Sequence, residues 1–251
     1  DKYKGKINLK KGPYLNTEYL GFYLDSPSPV IQSPLIREAI NIGFDRQKMM
    51  VYLRNNIGFK GDRGFVPKGL AGHLNNQFLE YQPERAVALV KSFEEQTGLK
   101  AKIRLATDPN YVDLCEYIQR ELQKISISIK IDVMPPSTLK QARSQGKLEM
   151  FRSNWIADSP DAENYLSLFY SKNLSPSGPN YTHFKSAAFD SYYEDSFLIN
   201  DVDERAKHYQ TMDSLAMSEH PLIPLFYDQV VRFTQKEVEG LGLNPVNILK
   251  L

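Results

Sequence analysis

The densest run of chemically capable side chains is Asn154-Trp155-Ile156-Ala157-Asp158-Ser159-Pro160-Asp161-Ala162-Glu163-Asn164-Tyr165. Its three carboxylates, Asp158, Asp161 and Glu163, could act as general acid and base, and a hydrolase built on them is one reading. Such pairs normally face each other across a cleft from separate elements, and closeness in sequence does not supply that geometry. A second reading is a binding wall. The run lies where a strand should end and a helix begin, the place where open α/β sheets hold ligands, and Trp155 offers a flat apolar surface beside a charged partner. A third reading makes Asp158 and Asp161 helix-start residues that complement the dipole, with Trp155 in the core.

Other chemistries find less support. His73, His183, His208 and His220 share no i, i+4 spacing and no common segment, and Cys115 is the single cysteine, so neither a Cys/His zinc site nor an internal disulfide is expected. No Gly-rich phosphate motif follows a strand and no Gly-x-Ser-x-Gly elbow occurs. The 31 Lys and Arg balance 30 Asp and Glu without a basic block, which argues against nucleic acid as a partner. Of the aromatic residues, Tyr81, Tyr111 and Tyr181 fall in expected loops or at helix starts, where rings more often meet ligands; the others read as packing.

The elements that must position these groups are legible from periodicity and caps. With 251 residues, 41% of them hydrophobic, the chain can bury one large core or two small ones. No apolar run approaches the roughly 20 residues of a membrane-spanning helix. The chain opens at Asp1 with no apolar leader, so any targeting segment is expected to have been removed or to lie outside it.

A first strand is expected at 17–24 after a loose Lys-rich opening. Ser33-Pro34 should start a helix to about Ile42 with the stripe Ile36, Ala39, Ile40 and Gly43, and Asp45 should cap a second through Met49, Met50 and Leu53. Residues 56–80, rich in Gly, read as a long irregular loop. Then follow a helix at 83–96 closed by Gly98, a strand at 101–106, a helix at 109–124 capped by Asp108, and a strand at 127–133. In the last of these Ile127, Ile129, Ile131 and Val133 alternate with polar residues, so one face should be buried. A helix at 136–145 and a strand at 148–155 complete contiguous βαβαβ units in one layer, with no linker break. Helices are further expected at 161–169, 187–198 and 202–218, the last capped by Asp201, and one or two strands at 222–233.

Read in order, these segments resemble the family 5 extracellular solute-binding proteins, the oligopeptide, dipeptide and nickel receptors of ABC importers. Ile36-Arg37-Glu38-Ala39-Ile40-Asn41-Ile42-Gly43-Phe44-Asp45-Arg46 is similar to the family's "VRQALNYAIDR" stretch. Tyr19-Leu20-Gly21-Phe22 resembles "YLGFN", Gln82-Pro83-Glu84-Arg85-Ala86 resembles "DPEKA", and the run from Trp155 to Leu166 resembles "WGADYPDPENFL". Asn180-Tyr181-Thr182 through Phe189-Asp190, Ile223-Pro224-Leu225-Phe226-Tyr227 and Val238-Glu239-Gly240-Leu241 continue the match. The sequence departs from the pattern at Ser159, Ala162 and His183-Phe184, beside the expected pocket.

The resemblance implies a periplasmic-binding-protein-like type II α/β fold. Family members are roughly double this length, so the chain is expected to be the C-terminal lobe with the N-terminal lobe absent. On this reading 25–230 form the ligand-binding lobe, and 1–24 and 231–251 are hinge or partner-lobe strands. The implied function is binding of peptides or similar small solutes between two lobes for an ABC importer permease, without catalysis or cofactor. The implied protein is a monomer in the periplasm or at the cell surface, held to the membrane only by a lipid anchor outside this chain. In peptide-binding members an Asp at the place of Asp158 holds the ligand's α-ammonium, with Trp155 and Asn154 as neighbouring wall; Tyr181 and Tyr111 complete the expected site. A regulator's sensor domain with the same fold is a third possibility and needs a DNA-binding domain elsewhere in its gene.

Overall fold

The computed structural model describes residues 5–75 and 79–244. The chain runs β1 (Ile7–Phe22), α1 (Pro29–Gln32), α2 (Pro34–Ile42), α3 (Arg46–Arg54), β2 (Phe59–Lys60), α4 (Pro83–Thr97), β3 (Lys102–Thr107), α5 (Val112–Gln123) and β4 (Ser128–Val133). It continues with α6 (Pro136–Ser144), β5 (Met150–Ile156), α7 (Glu163–Leu166), α8 (Ala187–Ser196), α9 (Val202–Ser218) and β6 (Leu222–Gln235). Six strands form one mixed sheet in the order β2-β6-β1-β5-β3-β4. β5, β3 and β4 are parallel, as the βαβαβ reading requires, and β1 runs antiparallel to both β5 and β6.

Each face of the sheet carries its own core. Leu20 and Phe22 of β1 face α2 to α5, whose Ile36, Ala39, Ile40, Met49, Val90, Phe93, Ile118 and Leu122 are all buried. Tyr19 faces the other way, toward Phe65, Tyr165, Phe169, Tyr209, Met212 and Ala216. This is the period of two expected of a strand covered on both faces. Gly21 sits opposite Phe151, whose ring carbon lies 2.5 Å from where a Cβ would be, so the position admits no side chain.

Several boundaries differ from the sequence reading. β1 begins at Ile7, ten residues before the expected start, because β6 supplies a ladder partner along its whole length, from Ile7↔Gln235 to Gly21↔Leu222. Distant pairing there overrides the weak local signal of the Lys-rich opening. Residues 222–235 are one strand, broken in register only at Pro13/Thr17 and Glu18/Tyr19. On β4 the buried face fades: Ile129 is buried, Ile131 partly so and Val133 is 51% exposed, since the end of this edge strand runs out from under its covering helix. The expected helix at 161–169 is one α-turn followed by a 3-10 turn at Ser167–Phe169, and a 3-10 turn at Pro109–Tyr111 precedes α5.

The caps divide similarly. Asp45, Asp108 and Asp201 accept from Lys48 N, Asn110 N and Glu204 N, and Gly98 takes the left-handed φ of 70° that closes α4. Ser33 stands at an N-cap without a capping side-chain bond; Pro34 alone marks that start. The last residues of the expected tail, 245–251, and the first of the expected hinge, 1–4, lie outside the described residues.

Candidate functional site

β5 extends past the end of β3. Ala106 pairs with Phe151, so Asn154, Trp155 and Ile156 project beyond the parallel ladder beside Asn16 to Glu18 of β1. This is the carboxyl end of the parallel strands. Arg152 is held there at 6% exposure between two carboxylates, Glu18 and Asp108 (3.4 Å), with its guanidinium carbon 3.1 Å from the centre of the Tyr111 ring. Asn16 donates to Glu18 Oε1 (3.1 Å) and to Asp228 Oδ2 (3.3 Å), and Arg54 donates to Asp228 Oδ1 (3.0 Å). Burial pushes the Glu18 carboxyl above its ordinary pKa, outweighing Arg152 and Asn16. Burial, together with Glu18, also raises the Tyr111 hydroxyl.

Four of the five expected site residues divide between the two faces of the sheet, and the fifth, Asp158, lies beyond its end. Asn154 donates to Asn16 Oδ1 (3.2 Å) on the Arg152 face, where Tyr111 also lies. Trp155 points to the opposite face, half-buried, and its Nε1 donates to Asn164 Oδ1 (2.8 Å). Tyr181 reaches that second face indirectly: Arg143 lies over its ring at 4.2 Å and donates to Ser153 of β5. Asp158, two residues past β5, is exposed, and among the described residues it has no side-chain hydrogen bond or ion pair. Just before α7, whose N-cap residue Ala162 offers no side-chain bond, it is Asp161 whose Oδ1 accepts from Glu163 N (2.9 Å).

Two of the three carboxylates of the hydrolase reading are engaged by neighbouring side chains. Asp161 is also 3.7 Å from Arg205, and Glu163 accepts from the Tyr193 hydroxyl. A constellation outside this run, Ser175-His183-Asp25, has the connectivity of a catalytic triad, with His183 Nε2 3.1 Å from Ser175 Oγ and Nδ1 2.8 Å from Asp25 Oδ2. Ser175 is 5% exposed, and the same Nε2 lies 2.9 Å from its carbonyl oxygen, so the histidine clamps a loop. Burial opposes the charge on Asp25, but bonds from His183 and Lys185 outweigh it and hold that carboxyl below its usual range. Among the described residues no group of three or more His, Cys, Asp or Glu side chains is placed to hold a metal ion.

Sequence reasoning missed Glu18, Arg152, Asn16, Arg54 and Asp228. A usable signal existed for the first two: Glu18 is the single charge between Gly12 and Phe22 of β1 and Arg152 the single charge of β5, and a charge in a covered strand is rare without a buried partner.

The chain is 21% identical over 248 residues to the probable D,D-dipeptide-binding periplasmic protein DdpA of Escherichia coli K12, covering 98% of this chain and 47% of the relative. It is 25% identical over 251 residues to the glutathione-binding protein GsiB of Salmonella choleraesuis, covering 95% and 48%. Among solved structures, the periplasmic binding protein DppA of Helicobacter pylori in complex with the peptide STSA superposes with a TM-score of 0.84 at 23% identity, covering 98% of this chain and 49% of that one. The chain thus spans about half the length of the relatives it matches and shares the α/β fold of periplasmic binding proteins of type II. The profile of bacterial extracellular solute-binding proteins, family 5 Middle, matches residues 1–176, and the chain belongs to that family.

Proposed function

We propose that this chain is one lobe of a two-lobed solute receptor that encloses a peptide or similar small solute and passes it to the permease of an ABC importer. The lobe is residues 25–230 completed by the inner part of β1, whose Tyr19, Leu20 and Phe22 lie in its cores, and the outer ends of β1 and β6 are the strands that lead to the other lobe. The reading places the protein outside the cytoplasmic membrane, in the periplasm or at the cell surface, as a monomer held by a lipid anchor.

Asp158 is the observation that carries it. A carboxylate without an internal partner stands at the end of β5, at a rim whose charges already lean negative, with Glu18, Asp108 and Asp228 against Arg54 and Arg152. An ammonium closed between two lobes loses its water and needs a charged acceptor held at a fixed place. Trp155, fixed by its bond to Asn164, and Asn154 serve as the adjoining wall; Tyr111 and Tyr181 set the shape of the floor through Arg152 and Arg143.

The test is Asp158→Asn in the complete two-lobed protein, titrated calorimetrically with a free-amine tetrapeptide and with its N-acetyl counterpart. Removing one partner of a buried charge pair costs about 2 to 5 kcal/mol, so the free-amine peptide should bind on the order of 30-fold or more weakly. The acetylated peptide, already a poor ligand, should change little. Unchanged affinity at unchanged melting temperature would refute the ammonium role and point to a ligand without an amine.

A further inference from the structure

A second concave site lies at the β2 edge, away from the rim. It is a cavity of about 260 Å³ between α3, β2 and the loop after β2, and its polar lining includes Lys60, Asp62, Arg63, Lys68, His73 and Tyr227. The row Trp155-Thr17-Tyr227-Phe59 crosses four paired strands, so three strand spacings, about 14 Å, separate this edge from the wall at Trp155.

The charges in the cavity do not cancel. Asp62, 3% exposed, is the single carboxylate in its lining, and it faces Lys60 Nζ at 2.8 Å and Arg63 Nε at 3.9 Å. Lys68 adds a third cation, its ammonium 4.5 Å from the centre of the Phe59 ring. Three positive side chains thus converge on one negative in a molecule whose whole formal charge is +1. The frame behind them is fixed. Arg63 is anchored by its bond to Asn75 O (2.8 Å), and the Tyr227 hydroxyl donates to Gly64 O (2.7 Å) while accepting from Arg63 N (3.2 Å). His73 Nδ1 lies 2.7 Å from the Val66 carbonyl and therefore donates, leaving Nε2 uncommitted among the described residues. Burial, and then the positive field of Arg63 and Lys68, keep the His73 imidazole below its ordinary pKa against the pull of that carbonyl and of Asp62.

We propose that this cavity is an oxyanion site, taking the carboxylate or phosphate group of a small ligand between Arg63 and Lys68. The inference does not depend on what the rim binds. An oxyanion there meets two charge-assisted donors and relieves their mutual repulsion.

The 251-residue chain is titrated at constant ionic strength with inorganic phosphate and, separately, with succinate, while the His73 ring resonance is followed by NMR. A saturable shift of His73 is expected with at least one of them. Saturation by phosphate alone assigns a phosphorylated ligand, by succinate alone a carboxylate, and by both the shared oxyanion chemistry. Lys68 is exposed, so Lys68→Gln should leave the melting temperature unchanged and weaken binding at least fivefold. Asp62→Asn, which removes the one repelling charge, should tighten it. A response that stays linear with concentration, that sodium chloride reproduces, or that Lys68→Gln leaves intact would overturn the proposal.

Discussion

Arg152 holds its charge inside the protein only because Glu18 and Asp108 flank it, and both of those are buried as well. Arg152→Met removes the shared counterion of two carboxylates, and breaking such a buried arrangement from one side costs roughly 3 to 5 kcal/mol. The triple change Arg152→Met, Glu18→Gln, Asp108→Asn should recover most of that loss in chemical denaturation. The pH dependence has a definite sign. Glu18 already titrates above its ordinary range, and losing Arg152 raises it further. Its stabilising contribution is then present at acid pH and lost as pH rises through the shifted value, so the deficit of Arg152→Met should shrink between pH 7 and pH 5. An equal deficit at both pH values would mean that Glu18 is not the group left stranded. A charge within β1 and another within β5 were visible in the sequence; that they are partners was not. The contact is set by the register Glu18↔Asn154, across a separation of 134 residues.

The segment after β2 carries few periodic signals, yet it is built around one buried group. Asp213 of α9 is fully enclosed and accepts from Phe65 N (2.8 Å) and Val66 N (3.1 Å), pinning the loop to the helix. Gly64 makes this approach feasible: its φ is +111°, and a Cβ there would fall 2.3 Å from the Asp213 carboxylate. Asp213→Ala leaves two amides without acceptors, at about 1 to 3 kcal/mol each. Burial lifts the Asp213 carboxyl to about 7, against the pull of those same amides. An acid raised in the folded state favours folding most below its unfolded pKa, and that advantage is lost as pH climbs to about 7. Wild-type stability relative to Asp213→Asn should therefore fall by a few kcal/mol from pH 5 to pH 8, read from urea midpoints. A difference that holds constant over that range would contradict the raised value. The buried residues of α9 mark the place of this residue. Tyr209 and Ala216 lie seven apart, and position 213 falls on the buried face between them, next to Met212. An aspartate there reads as solvated unless its acceptor role is known, and its donors lie 147 residues or more away.

At the scale of the whole molecule, the parallel units β3, β4 and β5 were legible because strand, helix and strand are neighbours in sequence, whereas the long β1-β6 ladder was not. The outer part of that ladder exposes Leu9 and Phe233, which pair directly at 52% and 64% exposure. Good ligand sites bury roughly 70 to 90% of a small molecule. On the proposed two-lobed reading this chain offers one wall, so the 251-residue chain should bind a free-amine tetrapeptide at least 100-fold more weakly than the complete protein, by calorimetry; equal affinities would remove any role for a second lobe. The same ladder also governs how the chain acquires its structure. β1 lies between β5 and β6, and its partners are made last: Ile7 meets Gln235, 228 positions on. Folding rates fall as such separations grow. At synthesis speeds of about 5 to 20 residues per second, β1 waits roughly 10 to 40 s for β6. Until β5 and then β6 emerge, Gly12 to Phe22 lacks the two strands it pairs with, and this segment, rich in aromatic and apolar residues, carries a single charge, Glu18. A charge inside such a strand disfavours its pairing with another copy of itself, so the carboxylate that is costly to bury in the finished sheet opposes aggregation before that sheet exists.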